Sequence, residues 1–429
     1  MAFLLLLMFG ILFLLMALSI PVAVALGLGA IAGMNAEGAL ESINLARRTI
    51  SGIESFPLLA VPLFLLLGEL MNASGISRRL FDLADCLVGH FTGGLAQVAI
   101  FSNVFLAACS GAATADAAVT SKVLVPIMVA KKFPGGFATA VAISAALLAP
   151  LIPPSITFVI YGSITDTSIG SLFMAGIVPG LLTAALLSFL VYLVSKRRGF
   201  ARRPAPPGLK DLGRVLVAAV WGLLLPVLII GGIRFGVATP TEIAAVAVIY
   251  CLLVGLFAYR ELSIRGIWSL LPTVAAQSGA VLLIVAAAAP FAWLLTRAGV
   301  PQSIFQAVHA FATPATFLFG VSALLFVLGM FMEAAAILVV MTPIVAPVGA
   351  ALGVDMVHLG VIITFMLGVG TLSPPFAQLV FVSSAITGIP AEDTFKELWP
   401  FLLVLAICAV LLIVFPGISL WLPSQVRGD

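Results

Sequence analysis

Charge is what this chain has least of. Asp, Glu, Lys and Arg make up only 9% of its 429 residues, against 62% hydrophobic, and the mean hydropathy is +1.27. So little polar surface cannot coat a water-soluble body, which excludes a soluble enzyme and predicts a multi-pass protein of a lipid bilayer. Twenty basic against seventeen acidic residues leave a net charge of +3, which gives no ground for a nucleic-acid partner. Cysteine is scarce as well. Cys86, Cys109, Cys251 and Cys408 lie far apart with no C-x-x-C spacing, which argues against a disulfide framework or a zinc site.

Other signals are missing too. Ten-residue alternating segments, the mark of a membrane β-barrel, do not occur, so helices are the expected spanning element. Gly-x-Gly-Asp, H-E-x-x-H and G-x-S-x-G are absent, so no enzyme activity is expected. Met1–Ser19 lacks a basic n-region and runs directly into Ile20-Pro21-Val22, and is read as a retained transmembrane helix.

What is there is a long series of apolar segments, interrupted by one basic stretch, Lys196 to Lys210. Seven segments precede it and seven follow, and their landmarks run in one order. Pro21 and Pro240, Pro62 and Pro290, Gly75 and Gly299, Asp116 and Glu333, and Pro153-Pro154 and Pro374-Pro375 are separated by offsets between 217 and 228. This predicts an all-α polytopic fold of two repeats, 1–195 and 215–429, joined by a cytoplasmic basic linker at 196–214. Each repeat would hold scaffold helices (1–72; 215–296), one helical hairpin (92–131; 314–350) and a span broken at Pro-Pro (137–161; 357–384).

Lys and Arg in short loops orient the chain, with Arg78-Arg79, Lys131-Lys132, Arg260 and Arg265 expected on the cytoplasmic side. The first repeat then makes about five crossings, an odd number, so the second is inverted, and both termini lie outside. The arm Gly94–Ala108 extends only about 22 Å at helical rise, short of a hydrocarbon core near 30 Å, so it is expected to dip in and return.

Four backbone breaks carry the chemistry. Cys109-Ser-Gly-Ala-Ala-Thr-Ala-Asp116 is a run of small and hydroxyl residues ending in a carboxylate, in surroundings where a charge costs roughly 2.5–3.5 kcal/mol. Its counterpart is Gly329-Met-Phe-Met-Glu333. The Pro-Pro sites Ile152-Pro153-Pro154-Ser155 and Gly370-Thr371-Leu-Ser373-Pro374-Pro375 lose backbone donors and free carbonyls upstream. Freed carbonyls with Ser and Thr hydroxyls suit a hard monovalent cation, and half-helix N-termini suit a carboxylate. The expected sodium ligands are Ser110, Asp116, Pro153, Ser155, Gly329, Glu333, Gly370 and Thr371. The expected substrate contacts are Ser110, Gly111, Thr114, Ser155, Thr371 and Ser373. Plain helix kinks at Pro-Pro and a capping role for Asp116 or Glu333 are compatible with the same residues. Lys122 is free to meet an anionic substrate, to pair with a carboxylate or to snorkel, and Glu69 reads as a scaffold residue.

At these residues the sequence resembles the large membrane subunit of tripartite ATP-independent periplasmic (TRAP) transporters. The resemblance covers essentially the whole chain. It is carried by Ser55-Phe-Pro-Leu-Leu-Ala-Val-Pro-Leu-Phe64, Ser110-Gly-Ala-Ala-Thr-Ala-Asp116, Ile152-Pro-Pro-Ser-Ile156, Leu172-Phe-Met-Ala-Gly-Ile-Val-Pro-Gly180, Pro240-Thr-Glu-Ile-Ala-Ala245 and Gly329-Met-Phe-Met-Glu-Ala334. It implies a Na+-coupled importer of an organic anion such as a C4-dicarboxylate or a sialic acid, working as an elevator in the bacterial inner membrane. It also implies a small four-helix membrane subunit and a periplasmic substrate-binding protein. The chain departs from the family pattern at Ala112-Ala-Thr114, at Lys122 in a usually uncharged arm, and at Thr371-Leu-Ser-Pro-Pro-Phe-Ala-Gln378. A stand-alone ion-coupled carrier, a membrane-embedded hydrolase using Asp116 and Glu333, and a passive channel are the alternative readings.

Overall fold

A computed structural model describes residues 2–38, 42–200, 208–310 and 312–427 of the chain. Among these residues there are helices and no strands. The first half comprises α1 (Ala2–Ala17), α2 (Val22–Ala36), α3 (Ser42–Ser51), α4 (Ala60–Ala73), α5 (Ile76–Val88), α6 (Gly94–Ser110), α7 (Ala113–Ala130), α8 (Gly135–Ala146), α9 (Ile156–Thr165) and α10 (Ile169–Arg198). The second comprises α11 (Leu209–Arg234), α12 (Pro240–Leu253), α13 (Ile264–Arg297), α14 (Val300–Val308), α15 (Pro314–Gly329), α16 (Ala334–Ala351), α17 (Met356–Leu372), α18 (Gln378–Thr387), α19 (Ala391–Val414) and α20 (Gly417–Arg427). The basic stretch between the halves is helical at both ends, and its centre, 201–207, lies outside the described residues.

Local chemistry accounts for several helix starts. Thr239 and Glu242 form a reciprocal capping box at α12, with Pro240 at the first helical position where its missing N–H costs nothing. Asp355 accepts hydrogen bonds from the Val357 and His358 amides at 2.8 and 3.0 Å and so starts α17. At the other end of α10, Lys196, Arg197 and Arg198 occupy the last turn, where cations favour the helix dipole.

Eight of the described helical segments are at least 18 residues long and apolar enough to cross a bilayer: Phe56–Ala73, α7, α10, α11, Pro240–Ala258, α13, α16 and α19. The expectation of a multi-pass helical membrane protein is met. Between them stand shorter apolar helices, among them α6, α8, α9, α15, α17 and α18.

Packing is reciprocal between the halves. Helix α2 packs on α13 and α12 on α4; α6 packs on α8 and α15 on α17. Likewise α7 packs on α18 and α16 on α9, while α8 meets α19 and α17 meets α10. With hydrocarbon on the outside, apolar burial does not drive helices together, so close packing and interhelical hydrogen bonds hold the bundle. The Ser121 and Ser383 hydroxyls meet at 2.7 Å between α7 and α18. Tyr161 of α9 donates to the Met356 carbonyl at 2.8 Å. Gln97 of α6 donates to the Ser188 carbonyl of α10 at 2.9 Å, and the Ser188 hydroxyl returns a bond to Gln97 Oε1. At the periphery, Arg79 pairs with Glu261 at 2.9 Å and stacks over Tyr259, which joins the Arg78-Arg79 and Arg260–Arg265 segments.

Candidate functional site

The first break pair is built from α6, α7, α8 and α9. Helix α6 ends at Gly111, whose φ of +66° turns the chain so that α7 can begin two residues later. A Cβ on Gly111 would stand 2.5 Å from the Pro154 carbonyl oxygen, so the hairpin tip rests directly on the Pro-Pro segment. That segment separates α8 from α9, and both Pro153 and Pro154 are buried. Ser155 caps α9: its Oγ accepts from the Phe158 amide at 3.2 Å and donates to the Pro150 carbonyl at 2.6 Å.

The second pair is built from α15, α16, α17 and α18. Gly329 ends α15, and its Cα is so close to Gly370 that a Cβ on Gly370 would meet it at 2.7 Å. The second tip therefore also rests on the broken span of its own half. Thr371 donates to the Gly368 carbonyl at 2.7 Å and Ser373 to the Val369 carbonyl at 2.9 Å, reusing carbonyls near the helix end. Unlike the first break, this one is open, with Pro375 and Phe376 exposed.

Between these elements lies a cavity of about 700 Å³. Four helix N-termini reach it: Ala113 and Thr114 of α7, Ile156 and Thr157 of α9, Ala334 and Ala335 of α16, and Gln378 and Leu379 of α18. Leu65, Glu69 and Asn72 of α4 line it too, as do Gln277, Ala280 and Val281 of α13. Helix N-termini carry unsatisfied N–H groups and partial positive charge, so four of them around one cavity favour an anion there.

Of the residues expected from sequence, Gly111, Thr114, Glu333 and Thr371 line this cavity. Ser110, Asp116, Pro153, Ser155, Gly329, Gly370 and Ser373 are not part of its wall. They lie behind it in the protein. The helical period of α7 explains the division. Ala115, Ala118, Val119 and Lys122 form the cavity face, while Asp116, Thr120, Ser121 and Leu124 form the buried one.

Asp116 is 3% exposed and its carboxyl faces the buried Ser110 hydroxyl, with neither Asp116 Oδ2 nor Ser110 Oγ held in a close hydrogen bond by the described residues. Nor does Asp116 cap α7, whose N-cap is Ala112. Glu333 occupies the N-cap position of α16 without a side-chain capping bond. No group of three or more His, Cys, Asp or Glu side chains able to hold a metal occurs among the described residues. The hydroxyl and carboxylate oxygens of Ser110 and Asp116 behind the first tip are the donor type a hard cation takes.

Asn72, Gln277 and Gln378, which no sequence motif marks as site residues, and Glu69, which reads as scaffold, all line the cavity. Gln277 donates to Glu69 Oε1 at 3.4 Å. The available signal was their polarity within apolar helices, since an intramembrane polar residue faces a partner or a cavity by default.

Comparison with known proteins bears on this arrangement. Residues 9–418 match the family model described as "Tripartite ATP-independent periplasmic transporter, DctM component". The chain is 38% identical over 388 residues to the C4-dicarboxylate TRAP transporter large permease protein DctM of Pseudomonas aeruginosa, covering 89% of each. It is 38% identical over 407 residues to the isethionate TRAP transporter permease protein DctMQ of Oleidesulfovibrio alaskensis, covering 95% of this chain and 64% of that longer protein. Among solved structures, the Alcanivorax borkumensis YdaH transporter superposes with a TM-score of 0.63 at 13% identity, over 86% of this chain and 87% of the other, which shows a shared fold.

Proposed function

The chain belongs to the DctM family of tripartite ATP-independent periplasmic transporters, transporters rather than enzymes, and on that premise we propose that it is the Na+-coupled importing subunit for a carboxylate- or sulfonate-bearing organic anion in a bacterial inner membrane. The observation that carries this reading is the convergence of four helix N-termini on one cavity of about 700 Å³. A volume in the range of ordinary ligand pockets suits a small organic acid.

The two halves are read as inverted repeats, and the reciprocal packing of their helices supports that. In this reading α6–α7 and α15–α16 are re-entrant hairpins. Together with the broken spans α8–α9 and α17–α18, they form a transport body that moves as an elevator against α4 and α13. Substrate contacts are Gly111, Thr114 and Thr371 at the cavity wall. Sodium is held behind the tips by carbonyls and hydroxyls around Ser110, Pro153, Ser155, Gly329, Gly370 and Thr371, with Asp116 and Glu333 as the nearby charges.

A small four-helix membrane subunit and a periplasmic substrate-binding protein complete the system. The test is uptake by the reconstituted complex with its binding protein. Accumulation should require an inward sodium gradient and should collapse when sodium is replaced by potassium. Uptake indifferent to that replacement overturns the coupling.

A further inference from the structure

The cavity that the proposed function relies on has an uneven distribution of charge. Among the described residues its wall carries one cation, Lys122 of α7, and two carboxylates, Glu69 of α4 and Glu333 at the start of α16. Lys122 is exposed into the cavity and makes no ion pair or hydrogen bond with any described residue. It stands on the α7 face that lines the cavity, three turns of helix below the tip. An unpaired ammonium within an apolar helix is costly unless it faces water or a charged ligand. On helices other than α7, Glu69 of α4 accepts from Gln277 of α13, and Asn72 lies one turn further along α4, all three lining the same cavity. That wall offers a fixed acceptor charge and neutral amides.

We infer that Lys122 takes the anionic group of the substrate while the Glu69–Asn72–Gln277 wall takes a hydrogen-bond donor at its other end. The solute is therefore an acid with a single anionic group and a hydroxyl or amino group, not a bare dianion. This rests on the cavity being the transport site. A second carboxylate would be set against Glu69, where like charges disfavour each other. A hydroxyl or ammonium there donates to Glu69 instead of opposing it.

The test uses the permease with its membrane subunit in nanodiscs, carrying Ala118→Cys on the cavity wall. The four native cysteines are buried, so the introduced thiol is the reporter. Its labelling rate by a small maleimide is measured with isethionate, 3-hydroxypropionate, propionate and succinate as probes. The two hydroxylated monoanions should protect at concentrations at least about tenfold below those needed for propionate or succinate.

Lys122→Gln should weaken that protection by about tenfold or more, the scale of one lost charge-assisted hydrogen bond, and Lys122→Arg should retain most of it. Glu69→Gln should narrow the gap between the hydroxylated acids and succinate. Unliganded labelling rates equal to the parent's show that the variants keep the cavity. Protection that ignores Lys122→Gln, or succinate protecting best in the parent, overturns the inference and leaves the transport reading standing. Protection by none of the four acids overturns the inference, and the transport reading is then decided by the sodium-dependent uptake assay alone.

Discussion

Substituting Gly111 tests whether the first hairpin tip is seated on the Pro-Pro segment. Ala at this position keeps a φ of +66°, which costs about 1–2 kcal/mol for a residue with a Cβ. The new methyl would also lie 2.5 Å from the Pro154 carbonyl oxygen and 3.3 Å from the Ile156 amide nitrogen. These are backbone atoms, which have no rotamer by which to escape, so overpacking adds about 1–3 kcal/mol. A less flexible unfolded chain returns up to about 1 kcal/mol, leaving a net loss of roughly 1–5 kcal/mol.

The control is Gly279→Ala in α13, where a Cβ meets nothing within 4 Å. Ala is the better helix former by about 1 kcal/mol, so this variant should be neutral or slightly stabilised. Both are followed in detergent by a dye that fluoresces on reaction with thiols, since all four native cysteines are buried and become reactive only on unfolding. Gly111→Ala should unfold several degrees lower than the parent and Gly279→Ala should not. Equal midpoints for the two variants would refute the seating of the tip on Pro154.

Three further perturbations separate stability from transport. Ser155→Ala removes the cap of α9 and the donor to the Pro150 carbonyl, both buried, and should cost about 1–3 kcal/mol, whereas Ser269→Ala, an exposed hydroxyl, should stay within about 0.5 kcal/mol. Thermal unfolding of the two variants side by side checks this. Arg198→Ala breaks a bidentate pair with Glu397, both bonds 2.8 Å, but with the side chains 41% and 21% exposed the loss should not exceed about 1 kcal/mol and should shrink in high salt. Under the proposed function, Asp116→Ala leaves the cavity wall intact but removes a buried carboxylate behind it, so the sodium concentration giving half-maximal uptake should rise. An unchanged sodium dependence would remove Asp116 from the ion site.

Much of this molecule is legible in one dimension. A chain with 9% charged residues must satisfy its backbone within helices, and consecutive prolines must end them, so the class and the breaks at Pro153-Pro154 and Pro374-Pro375 follow from composition and covalent geometry. The motifs around Ser110, Ser155 and Glu333 likewise point to the family that residues 9–418 match.

What the sequence leaves open is which polar residues share a space. Asp116 is the conspicuous charge in its segment, yet the register of α7 turns it into the protein and turns Lys122 toward the cavity. A helical period says that positions 115, 118, 119 and 122 share a face but not what that face meets, because in an apolar helix neither side is marked as outer. Glu69, Asn72 and Gln277 look incidental one helix at a time. They meet Thr114 and Thr371 at one cavity only because α4 and α13 pack together alongside the paired breaks. That meeting is decided by long-range packing of small and apolar surfaces, which no local propensity encodes.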